Sequence, residues 1–352
     1  MTRIDIDLIE EEWDDDFRPP PNRQYSVAAR ERIDADEVAR VVQVDRGRVT
    51  VVLDGDVVEA TYAGSMRGTK VAVGDRVRVR PRRHDSDTAR ITDVLDRDTV
   101  LRRTSDDRLD DARVLVANAE QVIVVIGADY LDGGVRFLDR VLVAAHAGGV
   151  DPVVCINKVD LGDPAAVEQV RARYADIGVP SLTTSAETGD GVEELRWRLE
   201  EAWTAFAGHS GVGKSSLMNL LVPGLDQTVA EVGRRGGRHT TVAARAEPVP
   251  GLDDAWLVDT PGVRSFGLGF LRPEELTRHV PELAGLGCAH DDCVHDGEPG
   301  CRIDEARIHP DRLASYWRLL SALRGDDRWE RDEWGAAAED EADDPEDDPE
   351  DG

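Results

Sequence analysis

Apolar and polar residues alternate in short runs from residue 36 to about 103, interrupted by turn residues at Asp45-Arg46-Gly47 and Asp54-Gly55. Alternation with a period of two reads as half-buried strands, here 39–44, 48–53, 56–62, 76–80 and 90–95. Five strands in so short a span predict a small Greek-key barrel, with the OB-fold the leading form and an SH3-like barrel its competitor. Past residue 105 the pattern changes. Near-continuous apolar runs at 153–156 and 256–258 read as buried strands, and 121–126, 152–156, 181–184, 204–207, 242–249 and 255–258 are the strands expected. Segments of helical period at 135–147, 165–174, 192–202 and after Gly213 alternate with them, so 105–270 predicts a doubly wound α/β sheet. Further helices are expected at 274–286 and 310–324, the second with Leu313, Tyr316, Trp317, Leu320 and Leu323 on one stripe. Residues 1–35, with Pro19-Pro20-Pro21, show little apolar periodicity. The organisation expected is therefore a lead-in (1–35), a barrel (36–104), an α/β domain (105–272), a small helical domain (273–335) and an acidic tail (336–352).

Polar residues gather just past the ends of several apolar runs. Gly208-His209-Ser210-Gly211-Val212-Gly213-Lys214-Ser215-Ser216 fits the phosphate-loop pattern G-x-x-x-x-G-K-[ST]. Its glycines let backbone N–H groups curl round a β-phosphate, the following helix offers its positive end, and Lys214 and Ser215 supply a charge and a Mg²⁺ ligand. Asn157-Lys158-Val159-Asp160 and Asp259-Thr260-Pro261-Gly262 each follow an apolar run in the same way. Open α/β sheets bind ligands beyond the carboxyl ends of their strands, so these motifs predict one nucleotide pocket.

The chemistry expected there is specific. The Asp160 carboxylate can accept from guanine N1–H and the exocyclic amine, donors that adenine lacks, which selects GTP over ATP. Asn157 would brace the loops, Lys158 would lay its stem over the base, and Ser185-Ala186 would offer a backbone N–H to guanine O6. Lys214 would bridge β- and γ-oxygens, Asp259 would hold Mg²⁺ through water, and the Gly262 N–H would sense the γ-phosphate. Thr240 or Thr241, with Thr241 preferred, would complete the metal shell from the Gly- and Arg-rich stretch 233–241. Val263 stands where a conventional small GTPase carries a glutamine to orient water, so unaided turnover should be slow, and His239 is the nearest candidate to position that water. Lys214, Thr241 and His239 are thus the residues expected to take part in the chemistry.

Composition sharpens this reading. Lys70, Lys158 and Lys214 are the only lysines among 43 basic residues. Two of the three lie in the motifs, where a compact ammonium fits a cradle of backbone amides better than a planar guanidinium. The net charge of −29 is concentrated at the ends: residues 1–18 and 339–352 carry 18 acids against two arginines, leaving −13 for 19–338. The ends are expected to be solvated chain, and any RNA contact must use a local basic patch. Arg76, Arg78 and Arg80, alternating with Val77 and Val79 and followed by Arg82, Arg83 and His84, form one on the barrel. No apolar stretch reaches the roughly 18 residues of a membrane span, and the first residues lack the layout of a secretion signal, so a cytoplasmic protein is expected.

Four cysteines are too few and too clustered for a disulfide framework. Cys155 lies in an apolar run and reads as a packed core thiol. Cys288, Cys293, His295 and Cys301 supply three thiolates and an imidazole, a closed set suited to structural Zn²⁺. Such a staple would stabilise a domain with a thin core.

In ordinary GTPases the phosphate loop comes first and the guanine motif late. Here the order is 157–160, 185–186, 208–216, 240–241 and 259–262, a circular permutation. That order, between a small barrel and a Cys₃His segment, resembles the bacterial small-subunit-dependent GTPase family RsgA (YjeQ, EngC) over residues 36–325. The resemblance implies an OB-fold, a permuted α/β P-loop GTPase domain and a small helical zinc-binding domain. It also implies action as a monomer in late maturation of the 30S subunit and its 16S rRNA, with GTP hydrolysis stimulated by that subunit. A reading of another class is an RNA-binding assembly scaffold in which GTP is a slow regulatory ligand. A kinase with a metal module is weakened because no acceptor site or adenine preference is visible.

Overall fold

The computed structural model describes residues 37–45, 48–66, 68–81, 88–104, 112–225, 244–260 and 266–325. The described residues fall into two compact units, one running up to Arg103 and from Ala112 to Phe266, the other comprising Thr104 and the residues from Gly267 onward.

Alternating burial closes the first five strands into a barrel. β1 (Glu37–Asp45), β2 (Arg48–Leu53) and β3 (Asp56–Tyr62) form an antiparallel meander. β5 (Thr88–Val94) then lies parallel to β3 and antiparallel to β4 (Arg76–Pro81), and β4 returns to pair with β1. This 1-2-3-5-4-1 order is that of the OB-fold, which decides against the SH3-like alternative. Val41, Val49, Val51, Val77, Val79 and Ile91 fill the interior at 0% exposure. Opposite Val77 and Val79, Arg76 is partly consumed: it pairs with Asp98 at 2.9 Å and donates to the Asp96 carbonyl at 2.9 Å. Arg82, Arg83 and His84 lie outside the described residues.

A strand pair absent from the predicted set follows: β6 (Val100–Arg103) and antiparallel β7 (Arg113–Ala117). Val100-Leu101-Arg102-Arg103 has too short an apolar run to register as a strand, and tertiary bonds hold this region instead. Ala117 N–H donates to the Val73 carbonyl at 2.8 Å, and the Asn118 amide donates to Gly74 O at 3.0 Å. Nearby, wholly buried Asp75 takes a bidentate pair from Arg97 (2.6 and 2.8 Å) and the Ala72 N–H (2.7 Å), which satisfies a charge that would otherwise be costly.

The α/β sheet has the order β10-β9-β8-β11-β13-β12. β8 (Gln121–Gly127), β9 (Asp151–Asn157), β10 (Ser181–Thr183), β11 (Trp203–Gly208) and β13 (Trp256–Asp259) are parallel, and β12 (Arg245–Pro248) is antiparallel to β13. Every residue of β8 and β11 is buried, as their unbroken apolar character requires. A single register pair, Gln43 with Arg245, joins the barrel to this sheet. At its base the rings of Trp203 and Trp256 stack at 5.0 Å, and the Arg40 guanidinium sits 3.7 Å from the Trp203 centroid. Burial pulls Arg40 down to about 10, partly offset by Glu120.

The helices are α1 (Leu131–Gly148), α2 (Pro164–Ala175), α3 (Val192–Trp197) and α4 (Lys214–Leu221). α2 begins at an Asp163 cap that accepts from Ala165 N at 3.1 Å, with Pro164 in the first turn. The helix predicted at 192–202 stops at Trp197, where the chain tightens into i→i−3 bonds and reaches a positive φ of 53° at Glu201. Among the described residues no helix is long and apolar enough to cross a membrane.

In the second unit the predicted helix 274–286 is reduced to α5 (Pro273–Leu276) and a 3₁₀ turn, Thr277–His279. Pro281 is the reason: it lacks an N–H, and it pushes Val280 into extended backbone (φ −114°, ψ 101°). α6 (Pro310–Arg324) spans the predicted range, but its buried face differs from the predicted stripe. Arg312, Ser315, Tyr316, Leu319, Leu320 and Ala322 are inside, while Trp317 is 37% exposed. Arg312 turns inward because Glu282 meets it in a bidentate pair at 2.5 and 2.9 Å.

Candidate functional site

The strand order reverses between β8 and β11, so the loops past β8, β9 and β11 converge on one edge of the sheet. At the centre of that edge is Asn157, fully buried at the end of β9. Its side-chain amide donates to the Val212 carbonyl of the phosphate loop at 2.9 Å. Its Oδ1 accepts from the Thr184 hydroxyl at 3.0 Å and from Ala186 N–H at 3.2 Å. One side chain thus locks the two ends of the pocket together, although 55 and 29 residues separate them from it in the chain.

The loop from Gly208 to Gly213 bends through positive φ at Gly211 (85°) and Gly213 (87°). A Cβ on Gly213 would lie 2.3 Å from Asn157 Nδ2. Gly213→Ala is therefore expected to weaken GTP binding by about a hundredfold, since it adds a clash to the strain of a left-handed residue. Gly178→Ala, also at positive φ (76°) but with nothing within 4 Å, should leave binding within about twofold. Titration with a fluorescent guanine nucleotide compares the two.

Lys214, Ser215 and Ser216 form the first turn of α4, and Leu217 N–H closes it on Gly213 O at 3.0 Å. The Lys214 ammonium reaches across to an ion pair with Asp259 at the end of β13. Thr260, next to it, donates its hydroxyl to Phe206 O at 2.5 Å and ties that strand end to β11. A hydroxyl from Ser215 and a carboxylate from Asp259 are hard oxygen donors of the kind Mg²⁺ takes, so these residues fit the ion. His209 packs on Phe137 with ring centroids 4.2 Å apart, and burial holds its imidazole below the usual histidine value.

At the base end, Asp160 accepts from the Ser185 hydroxyl at 2.6 Å, which fixes the carboxylate plane. Val159 N–H is held by Thr184 O at 3.2 Å. Ser185 N–H donates to Asp190 O at 2.9 Å and Ala186 N–H to Asn157, so a guanine O6 must share or replace the longer Ala186 bond. Lys158 sits at φ 62° with its ammonium 2.7 Å from Asp129. His239, Thr240, Thr241, Gly262 and Val263 lie outside the described residues. Thr184, Thr260 and Asp129 carry bonds at this site that the motifs did not predict. The available signal was position alone: each is a polar residue near the carboxyl end of an apolar run.

In the second unit Cys288, Cys293, His295 and Cys301 place their ligand atoms within 4.8 Å of one another. The His295 Nδ1 lies 3.5, 3.6 and 3.4 Å from the sulfurs of Cys288, Cys293 and Cys301. A tetrahedral ion with sulfur at ~2.3 Å and nitrogen at ~2.05 Å gives N···S edges of about 3.55 Å, so the group is sized to hold a metal ion through Nδ1. The loop is positioned by Glu298, which accepts from Val294 N (3.1 Å) and Asp296 N (2.7 Å). α6 supports it from behind: the Tyr316 hydroxyl donates to Val294 O at 2.6 Å and the Trp317 ring N–H to His295 O at 3.2 Å.

Residues 94–269 match the family described as RsgA GTPase. The chain is 39% identical over 281 residues to the small ribosomal subunit biogenesis GTPase RsgA of Gemmatimonas aurantiaca, covering 75% of this chain and 91% of that one. The chain belongs to the RsgA GTPase family. A Bacteroides fragilis protein of the same description is 36% identical over 284 residues, covering 76% and 90%. Among solved structures, YjeQ from Thermotoga maritima superposes with a TM-score of 0.67 at 30% identity, covering 83% of this chain and 99% of that one. YloQ, described as a circularly permuted GTPase, has the same fold with a TM-score of 0.64 at 22% identity, covering 84% and 97%. As an RsgA GTPase the protein is a GTP hydrolase, and the matched segment contains the motifs at 157–160, 185–186, 208–216 and 259. The family's use of GTP accords with the carboxylate at Asp160 and the oxygen donors at Ser215 and Asp259.

Proposed function

We propose that this GTPase acts in the cytoplasm, as a monomer, in late maturation of the small ribosomal subunit, and that binding to the 30S particle stimulates its hydrolysis of GTP. The observation that carries the reading is Asn157 bonded at once to the phosphate loop and to the 184–186 loop, in a chain 39% identical to a small ribosomal subunit biogenesis GTPase.

Asp160 reads guanine, Lys158 covers the base, and the backbone from Gly208 to Ser216 cradles the phosphates. Lys214 exchanges its Asp259 partner for phosphate oxygens and neutralises charge as the γ-phosphate leaves. Ser215 and, through water, Asp259 would hold Mg²⁺, which would supply further positive charge there. Thr240 or Thr241, the latter preferred, would complete the Mg²⁺ shell, the Gly262 N–H would sense the γ-phosphate, and His239 would position water. Cys288, Cys293, His295 and Cys301 would hold a structural Zn²⁺, and the arginines of β4 would contact 16S rRNA phosphates.

A second reading, an RNA-binding scaffold with GTP as a slow regulatory ligand, is favoured by Val263, which cannot orient water. Multiple-turnover phosphate release with and without purified 30S particles separates the two. A rise of about tenfold or more is expected on adding the particle; an unchanged rate selects the scaffold.

A further inference from the structure

Of the two site lysines, Lys214 has an evident task at the phosphates. Lys158 has a partner that no motif contains. Asp129 lies in the loop after β8, and its Oδ2 is 2.7 Å from the Lys158 ammonium.

Three features mark the pair as built. Gly127, the last residue of β8, clears space for it: a Cβ there would lie 2.2 Å from Asp129 Oδ1 and 4.0 Å from Lys158 Cδ. The two loops also interlock, since Ala128 N–H donates to Asn157 O at 2.8 Å and Gly162 presses so close that its Cβ would lie 2.5 Å from that of Ala128. Finally, Lys158 is held at φ 62°, a left-handed conformation unusual for lysine, and Leu161 N–H closes a turn on its carbonyl at 2.9 Å. The left-handed backbone at one end and the Asp129 ion pair at the other, with the lysine side chain 29% exposed, together confine the four-carbon stem between them.

We infer that Asp129 is the positioning residue of the guanine pocket, anchoring the Lys158 ammonium away from the phosphates so that the lysine stem is pre-set as a wall for the base. The inference rests on the reading of Asn157–Asp160 as the guanine site. Pre-setting spares the bound state the ordering of a flexible side chain, so its loss appears in affinity and not in turnover. A wall for the base acts alike on GTP and GDP, because it does not touch the γ-phosphate.

The test is a double-mutant cycle on the full chain, reading the dissociation constants of GTP and GDP together with KM and kcat. Lys158→Ala should weaken both nucleotides by about tenfold. Asp129→Ala should weaken both by roughly fivefold, raise KM by the same factor and leave kcat within about twofold. The double variant should be no weaker than Lys158→Ala alone. Gly127→Ala supplies an independent variant: it displaces the Asp129 carboxylate while removing no charge, and it should reproduce the Asp129→Ala defect. Affinities of Asp129→Ala and Gly127→Ala within twofold of the parent, beside a defective Lys158→Ala, overturn the inference and leave the guanine site standing. Strictly additive losses in the double variant also overturn it, since they make Asp129 a general structural residue. An unchanged Lys158→Ala removes both the inference and the site reading.

Discussion

Exchanging Asp160 for asparagine is expected to lower affinity for GTP by on the order of a hundredfold or more and to create affinity for xanthosine triphosphate. The carboxylate accepts from both guanine donors; an asparagine amide sets an N–H against one of them and leaves both groups buried without a partner. Xanthine carries a carbonyl where guanine carries its exocyclic amine, so the new amide donor finds an acceptor. The swap should not disturb the surrounding loops, because the asparagine oxygen can still accept the Ser185 hydroxyl that Asp160 accepts at 2.6 Å. Displacement of a fluorescent nucleotide by GTP, xanthosine triphosphate and ATP reads the result. A variant that keeps its preference for GTP, or a parent that takes ATP equally well, would show that Asp160 does not face the base.

Removing the proposed structural ion from the Cys₃His group is expected to melt the second unit locally. Its apolar core is thin, with Leu276, Val280, Leu283, Tyr316, Leu319 and Leu320 as main members, and the ligand loop is otherwise held mainly by hydrogen bonds from Glu298, Tyr316 and Trp317. Structural zinc supplies about 10 kcal/mol or more in finger peptides, well above what so small a core can offset. Cys301→Ser, or chelation, is expected to free the Tyr316 and Trp317 bonds to the ligand loop, so that amides from 288 to 301 lose hydrogen-exchange protection. Metal content should fall from one zinc per chain to none. Cys155→Ser is the control: that thiol is buried in β9 beside Thr184, burial pushes it up to about 12, and its loss should leave metal content unchanged. Full protection after complete metal removal would sink the proposal of a structural ion.

Much of the fold could be read in advance because burial repeats with the period of each element. The barrel strands carry the period of two, the largely apolar β8, β9 and β11 carry the unbroken burial of central strands, and the helix Pro310–Arg324 spans the range expected of it. Two of the differences share a cause, which is that a distant partner supplied what local sequence lacked. β6 and β7 are held partly by Val73 and Gly74, and Arg312 turns inward for Glu282. Pro281, by contrast, is a local breaker that the helix expected at 274–286 passed over, although proline inside a helical run is a signal the sequence carries.

For the site the division is similar. The residue types at 157–160, 208–216 and 259, and the Cys288, Cys293, His295 and Cys301 set that could hold a metal ion, stood in the chain as spaced motifs, because phosphate, guanine and metal each demand particular donors close together in sequence. The tertiary structure alone decided how the motifs meet: Asn157 bonding two loops at once, Lys214 reaching Asp259, and Asp129 holding Lys158. Those bonds span from 29 to 55 residues of chain, and a hydrogen bond between residues so far apart leaves no periodicity behind it. It depends on which strand lies beside which, and that order was set only when the sheet assembled.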